Sequence, residues 1–154
     1  MSVVQEIDEI LRASGESLAV AESCTGGSIA SSIVAIAGSS TYFQGGVVAY
    51  SNAAKISILG VDPQNIEQYG AVSEQVAREM AEGVREAFGA TYGVATTGIA
   101  GPTGGSAEKP VGTVWFGVAT PSGTLATMVN CGKYRGDVIA TASEQALKLL
   151  LCTL

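Results

Sequence analysis

The stretch Ser17-Leu18-Ala19-Val20-Ala21-Glu22-Ser23-Cys24-Thr25-Gly26-Gly27, followed by Ser28-Ile29-Ala30-Ser31-Ser32-Ile33-Val34-Ala35-Ile36, decides how the chain is read. Its first part has the apolar run of a buried strand. Its last part is a small-residue helix. Between them the chain must turn sharply, and the paired glycines permit a close approach there. A strand that turns into a helix presents backbone N–H groups and the positive end of the helix dipole, which together favour an anion. Ser23, Cys24 and Thr25 place two hydroxyls and a thiol at that turn. Two readings stay open at this point: an ordinary turn with Thr25 as N-cap, or a site that uses these groups.

The chain as a whole narrows the classes. Its 154 residues suit one domain with a sizeable core. Hydrophobic residues make up 47% and charged ones only 14%, which excludes a disordered chain. The net charge of -6 and the lack of any Lys/Arg run argue against a nucleic-acid surface. The first residues lack a basic segment followed by an apolar one, and no apolar run spans a bilayer, so a cytoplasmic protein without membrane contact is expected. Cys24, Cys131 and Cys152 have no metal-ligand spacing.

The chain contains no histidine. Ser-His-Asp and Cys-His catalysis as usually built are thereby excluded, and so are the zinc sets that need imidazole. Any nucleophile must be activated by lysine, tyrosine, a carboxylate or a helix dipole. No metal and no cofactor are expected.

Outward from the central turn, Val3, Val4, Ile7, Ile10 and Leu11 recur at helical spacing and predict a first helix ending near Gly15. Gly45 to Tyr50 reads as a second strand, and Asn52 as the N-cap of a helix that carries Lys55 in its first turn and stops at Gly60. Tyr50 then stands at a strand end, where open α/β sheets bind ligands. Lys55 is a cation near a helix N-terminus, which the dipole disfavours. Ser73 predicts the cap of a long helix closed by Gly89, and Tyr92 to Thr97 a third strand.

The next segment, Gly98 to Pro110, holds four glycines, two prolines and Lys109, and suggests a loop whose N–H groups form an anion nest. It matches neither the P-loop nor the dinucleotide fingerprint. Val111 to Thr120 and Thr124 to Val129 form a hairpin about Pro121-Ser122-Gly123. A last helix runs from about Val138 to Leu151, with Asp137 a possible N-cap. This order predicts a single three-layer α/β/α domain over residues 1–154, with a mixed, mostly parallel sheet and one C-terminal hairpin.

Four segments in this order and spacing resemble the CinA C-terminal domain family, the nicotinamide mononucleotide deamidases. They are Ala21 to Gly27; Tyr50-Ser51-Asn52 with Lys55; Gly70-Ala71-Val72-Ser73; and Thr97 to Pro102 with Gly104-Gly105-Ser106 and Lys109 to Val114. The resemblance implies hydrolysis of the carboxamide of nicotinamide mononucleotide to nicotinic acid mononucleotide and ammonia, in pyridine-nucleotide recycling. It implies a serine amidohydrolase, with Ser23 matching the nucleophile, Lys55 the base and Tyr50 a helper. Thr25, Gly26, Gly27, Gly98, Ala100, Gly101, Gly105, Ser106 and Lys109 are then expected to contact a small nucleotide substrate, and a homo-oligomer, dimer or higher, is expected. The segment Tyr134-Arg135-Gly136-Asp137 departs from the family pattern, because Val138 and Ala142 stand where arginines are usual. The competing reading is a catalytically idle nucleotide-binding module built on the same loops.

Overall fold

A computed structural model describes all residues, 1–154. Five strands, β1 (Leu18–Glu22), β2 (Phe43–Val48), β3 (Tyr92–Gly98), β4 (Thr113–Thr120) and β5 (Gly123–Asn130), form one sheet in the order β2-β1-β3-β4-β5. β1 runs parallel to both β2 and β3, while β4 is antiparallel to β3 and to β5. Four strands therefore point one way and β4 alone opposes them. The helices are α1 (Val3–Ser14), α2 (Ser28–Val34), α3 (Asn52–Leu59), α4 (Pro63–Tyr69), α5 (Glu74–Phe88) and α6 (Arg135–Leu151).

The two faces of the sheet differ in residue size, and that difference sets the layers. Leu18, Val20, Tyr92, Val94, Val114, Phe116 and Val118 point to one side, where they pack with Ile7 and Leu11 of α1, Ile29 and Ile33 of α2, and Val138, Ala142, Ala146, Leu147 and Leu150 of α6. Ala19, Ala21, Ala95 and Ala119 point to the other side, against Val76, Met80, Ala81 and Val84 of α5 and Leu59 of α3. On that small-residue face α5 lies almost on the backbone. A Cβ at Gly93 would stand 2.2 Å from the Ala81 carbonyl oxygen, and one at Gly117 2.4 Å from that of Ala77. At Gly83 of α5 a Cβ would stand 1.9 Å from the Leu59 carbonyl oxygen, so α5 also abuts the end of α3. The result is the three-layer arrangement that the element order predicts.

Local signals place several boundaries well. Gly15, Gly60 and Gly89 close α1, α3 and α5 in the left-handed conformation, and Ser73 caps α5 by accepting from the Val76 N–H. Three expectations are corrected. The N-cap of α3 is Ser51, whose hydroxyl accepts from the Ala54 N–H at 3.1 Å, and Asn52 is already helical. α6 begins at Arg135, which puts Asp137 inside its first turn. β2 starts at Phe43 instead of Gly45, because pairing to β1 begins at Leu18–Phe43, just after Leu18 N–H donates to the Tyr42 carbonyl. No helix is long and apolar enough to cross a membrane.

Candidate active site

β1 leads toward β2 through α2, whereas β3 leads toward β4. The connections at the carboxyl ends of β1 and β3 therefore diverge, which opens a crevice there. It is a cleft of about 340 Å³. Its lining comes from the β1–α2 turn (Ser23, Cys24), Tyr50 of the β2–α3 link, Asn52 and Lys55 of α3, the α4–α5 link (Ala71, Val72), the end of β3 (Thr97, Gly98), the β3–β4 loop (Ile99 to Gly101, Thr103, Gly104) and Arg135 of α6.

Ser23 is held from both sides of the sheet. Its N–H donates to the Thr96 carbonyl at 3.1 Å, and the Ala49 N–H donates to the Glu22 carbonyl at 2.8 Å. The turn beyond it is closed from behind by Glu22, which is 1% exposed. One carboxylate oxygen accepts from the Thr25 hydroxyl at 2.6 Å and the Ile29 N–H at 2.9 Å, and the other accepts from the Ala30 N–H at 3.0 Å. Thr25 and Thr96 hydroxyls lie 2.8 Å apart, completing a buried chain beneath the Ser23 turn. Gly26 (φ 58) and Gly27 (φ 101) are both left-handed, which is why this turn takes glycine twice.

This arrangement revises two readings of the turn. The positive end of α2 is already met by a carboxylate of the protein's own, and Glu22, not Thr25, caps the helix. The N–H groups of Cys24 and Thr25, one and two residues past Ser23, donate to no group of the protein. They are the free donors beside the serine.

Lys55 is 2% exposed. Its Nζ donates to Ser23 Oγ at 3.0 Å and to the Tyr50 carbonyl at 3.4 Å. No carboxylate pairs with it. Burial pushes its pKa below the ordinary lysine value, since an ammonium loses its hydration there. Cys24 is buried as well, and its thiol is pushed up to about 12, mainly by burial and secondly by Cys131. Tyr50 is exposed; its hydroxyl accepts from Arg135 Nη2 at 3.0 Å, while its carbonyl is the group that meets the lysine.

Of the residues singled out from sequence, Ser23, Lys55, Tyr50, Gly98, Ala100 and Gly101 line the cleft together. Thr25 is buried behind it, and Gly26, Gly27, Gly105 and Ser106 lie outside the lining. Lys109 is outside too: its Nζ donates to the Tyr69 carbonyl, which ties the β3–β4 loop to the end of α4. Asn52, Thr97, Thr103 and Arg135 line the cleft without having been chosen. The position of Asn52 beside Tyr50 was the signal for the first, and the departure from the family pattern at Tyr134-Arg135-Gly136-Asp137 drew attention to Arg135; Thr97 lies in one of the family segments, and nothing local marks Thr103. No group of three or more His, Cys, Asp or Glu stands together to hold a metal.

A family model described as the CinA C-terminal domain matches residues 1–154. The chain belongs to the CinA C-terminal domain family. Within it, the chain is 60% identical over 142 residues to the nicotinamide-nucleotide amidohydrolase PncC of Enterobacter agglomerans, covering 92% of this chain and 85% of that protein. It is 52% identical over 147 residues to a CinA-like protein of Shewanella sediminis (strain HAW-EB3), covering 95% of this chain and 35% of that one. It thus spans about a third of the length of the CinA-like relatives it matches. The crystal structure of the competence/damage inducible protein CihA from Agrobacterium tumefaciens superposes with a TM-score of 0.95 at 39% identity, covering 97% of this chain and 92% of that one. The CinA fold is therefore common to them.

Proposed function

We propose that this CinA-family chain is an amidase that hydrolyses nicotinamide mononucleotide to nicotinic acid mononucleotide and ammonia, with Ser23 as nucleophile and Lys55 as its base. The observation that carries the reading is the 3.0 Å contact between Ser23 Oγ and a buried lysine amine that no carboxylate neutralises. The likeness to PncC supplies the substrate.

The chemistry follows from the protonation state. Neutral Lys55 takes the hydroxyl proton as Ser23 Oγ attacks the carboxamide carbon. The carbonyl oxygen gains negative charge, and the free N–H groups of Cys24 and Thr25, next to Ser23 in the turn, are donors to stabilise it. The Lys55 ammonium then returns its proton to the leaving nitrogen, and ammonia departs from an acyl-serine. Water, deprotonated by Lys55 in turn, attacks that ester and releases the nicotinic acid nucleotide and free Ser23. The Tyr50 carbonyl keeps the amine aimed. Gly98, Ala100 and Gly101 border the space in which the nucleotide lies.

The test is ammonia release from nicotinamide mononucleotide by the purified chain, with S23A and K55A as controls. Stoichiometric product that vanishes in both variants is expected. Tight nucleotide binding without ammonia would instead establish an idle binding module.

A further inference from the structure

We propose that Arg135 is the specificity-determining residue of the cleft, binding the anionic phosphate of the substrate and selecting the nucleotide over the nucleoside that lacks this phosphate. This inference rests on the amidase reading of the same site.

The argument begins from a census of charge. The protein carries a net charge of -6, yet no aspartate or glutamate lines the cleft. Its two basic side chains are Lys55, whose pKa burial lowers, and Arg135, a guanidinium. The other cations are engaged elsewhere or lie apart. Arg12 meets Asp8, Arg78 meets Glu74, Lys148 meets Glu144, and Arg85 donates to the Thr91 carbonyl. Lys109 is committed to the Tyr69 carbonyl, and Lys133 does not line the cleft. Arg135 is therefore the one permanent positive charge facing the substrate space.

Its charge is also uncompensated. Arg135 takes part in none of the protein's ion pairs. Nη1 donates to the Gly101 carbonyl at 2.7 Å and Nη2 to the Tyr50 hydroxyl at 3.0 Å, both neutral acceptors. Those acceptors stand on opposite banks, one on the β3–β4 loop and one on the β2–α3 link. Two of the five guanidinium N–H donors are thus used to fix the fork, and three remain. An arginine at the first residue of a helix sits where the dipole disfavours a cation, and one serving only solubility has no reason to be tied to both banks. A planar fork so held suits the oxygens of a phosphate. Ser23 and Lys55 are buried on the floor and Arg135 is exposed at the rim, so an elongated molecule with an amide at one end and a phosphate at the other fits the polarity of the cleft.

The experiment compares kcat/KM for nicotinamide mononucleotide and for nicotinamide riboside in the full chain, R135A and R135K. The wild type is expected to prefer the nucleotide. In R135A that preference falls roughly ten- to hundredfold, the range of a hydrogen bond to a charged group, with KM moving more than kcat. R135K, a point charge without the fork, recovers part of it. A preference left unchanged in R135A, or both substrates losing equally, would overturn the assignment. Should the wild type release no ammonia from either compound, the amidase reading fails separately. Calorimetry with the mononucleotide and with inorganic phosphate then decides: binding lost in R135A upholds the site, while equal binding, or none by either protein, refutes it.

Discussion

Replacing Glu22 by glutamine tests the claim that a buried carboxylate holds the turn that carries Ser23. The substitution keeps size and shape and removes only the charge and one acceptor. The amide oxygen can replace the carboxylate oxygen that accepts from Thr25 and Ile29. The NH₂ group then faces the Ala30 N–H, donor against donor, where 3.0 Å now separates donor from acceptor. One hydrogen bond to a charged acceptor is lost, worth about 1.5–3 kcal/mol, and the two that survive weaken because their acceptor is now neutral. Ala30 is half-buried, so water relieves part of its stranded N–H. The expected loss is about 2–3 kcal/mol in urea unfolding, or a fall of roughly 4–12 °C in Tm for a chain of this size. In the same variant kcat should fall more than KM changes, because the turn that aims Ser23 loosens. A Glu22→Gln protein within about 0.5 kcal/mol of the wild type would refute the reasoning, since ordinary surface changes already reach that size.

Lys55→Ala should lower kcat by roughly 10²–10⁴-fold, the contribution of a positioned general base. The wild-type kcat/KM should rise with pH through an apparent pKa below the roughly 10.4 of free lysine, and a profile flat from neutral pH upward would count against the lysine as base. Because the native pKa of Lys55 is lowered, the unfolded chain binds more protons between the two values, so this group adds stability as pH rises through that window. Lys55→Met should abolish that slope and be no less stable than wild type near neutral pH; a methionine variant less stable there would show that the amine is not a net cost to the fold. Cys24→Ala should retain most activity, and thiol reagents should not inactivate at a group 6% exposed whose thiol is pushed up to about 12; a folded but dead Cys24→Ala beside an active Ser23→Ala would reverse the roles.

Much of the fold was legible because local signals agreed with the tertiary outcome. Gly15, Gly60 and Gly89 end helices where a left-handed residue is needed, and Ser73 sits where a helix begins. The unbroken apolar run of β1 also anticipates a strand buried on both faces. The start of β2 could not, because pairing with Leu18 recruits Phe43 from a segment whose own composition suggests a turn. At the site, Ser23 and Lys55 stood out as reactive residues at element junctions. Lys109 stood out for the same reason, yet its reach ends at a backbone carbonyl of α4. Arg135 lies 85 positions from Tyr50, and no local pattern announces a partner at that distance. From sequence, Glu22 could equally orient the turn or meet substrate; the structure decides for the turn, and two of its three donors, Ile29 and Ala30, lie beyond two left-handed glycines.

The contact at Gly83 reaches further than the core. Helix α5 bears there on the last residue of α3, and α3 is the arm that carries Lys55 to within 3.0 Å of Ser23. The glycine works as a spacer of zero thickness in a mechanical linkage between the rear of the molecule and the Ser23–Lys55 contact. One methyl group added at that point cannot be absorbed by a flexible side chain, because backbone meets backbone. It would lever the arm outward and lengthen the serine–lysine gap, so inactivation can originate at a residue that substrate never meets.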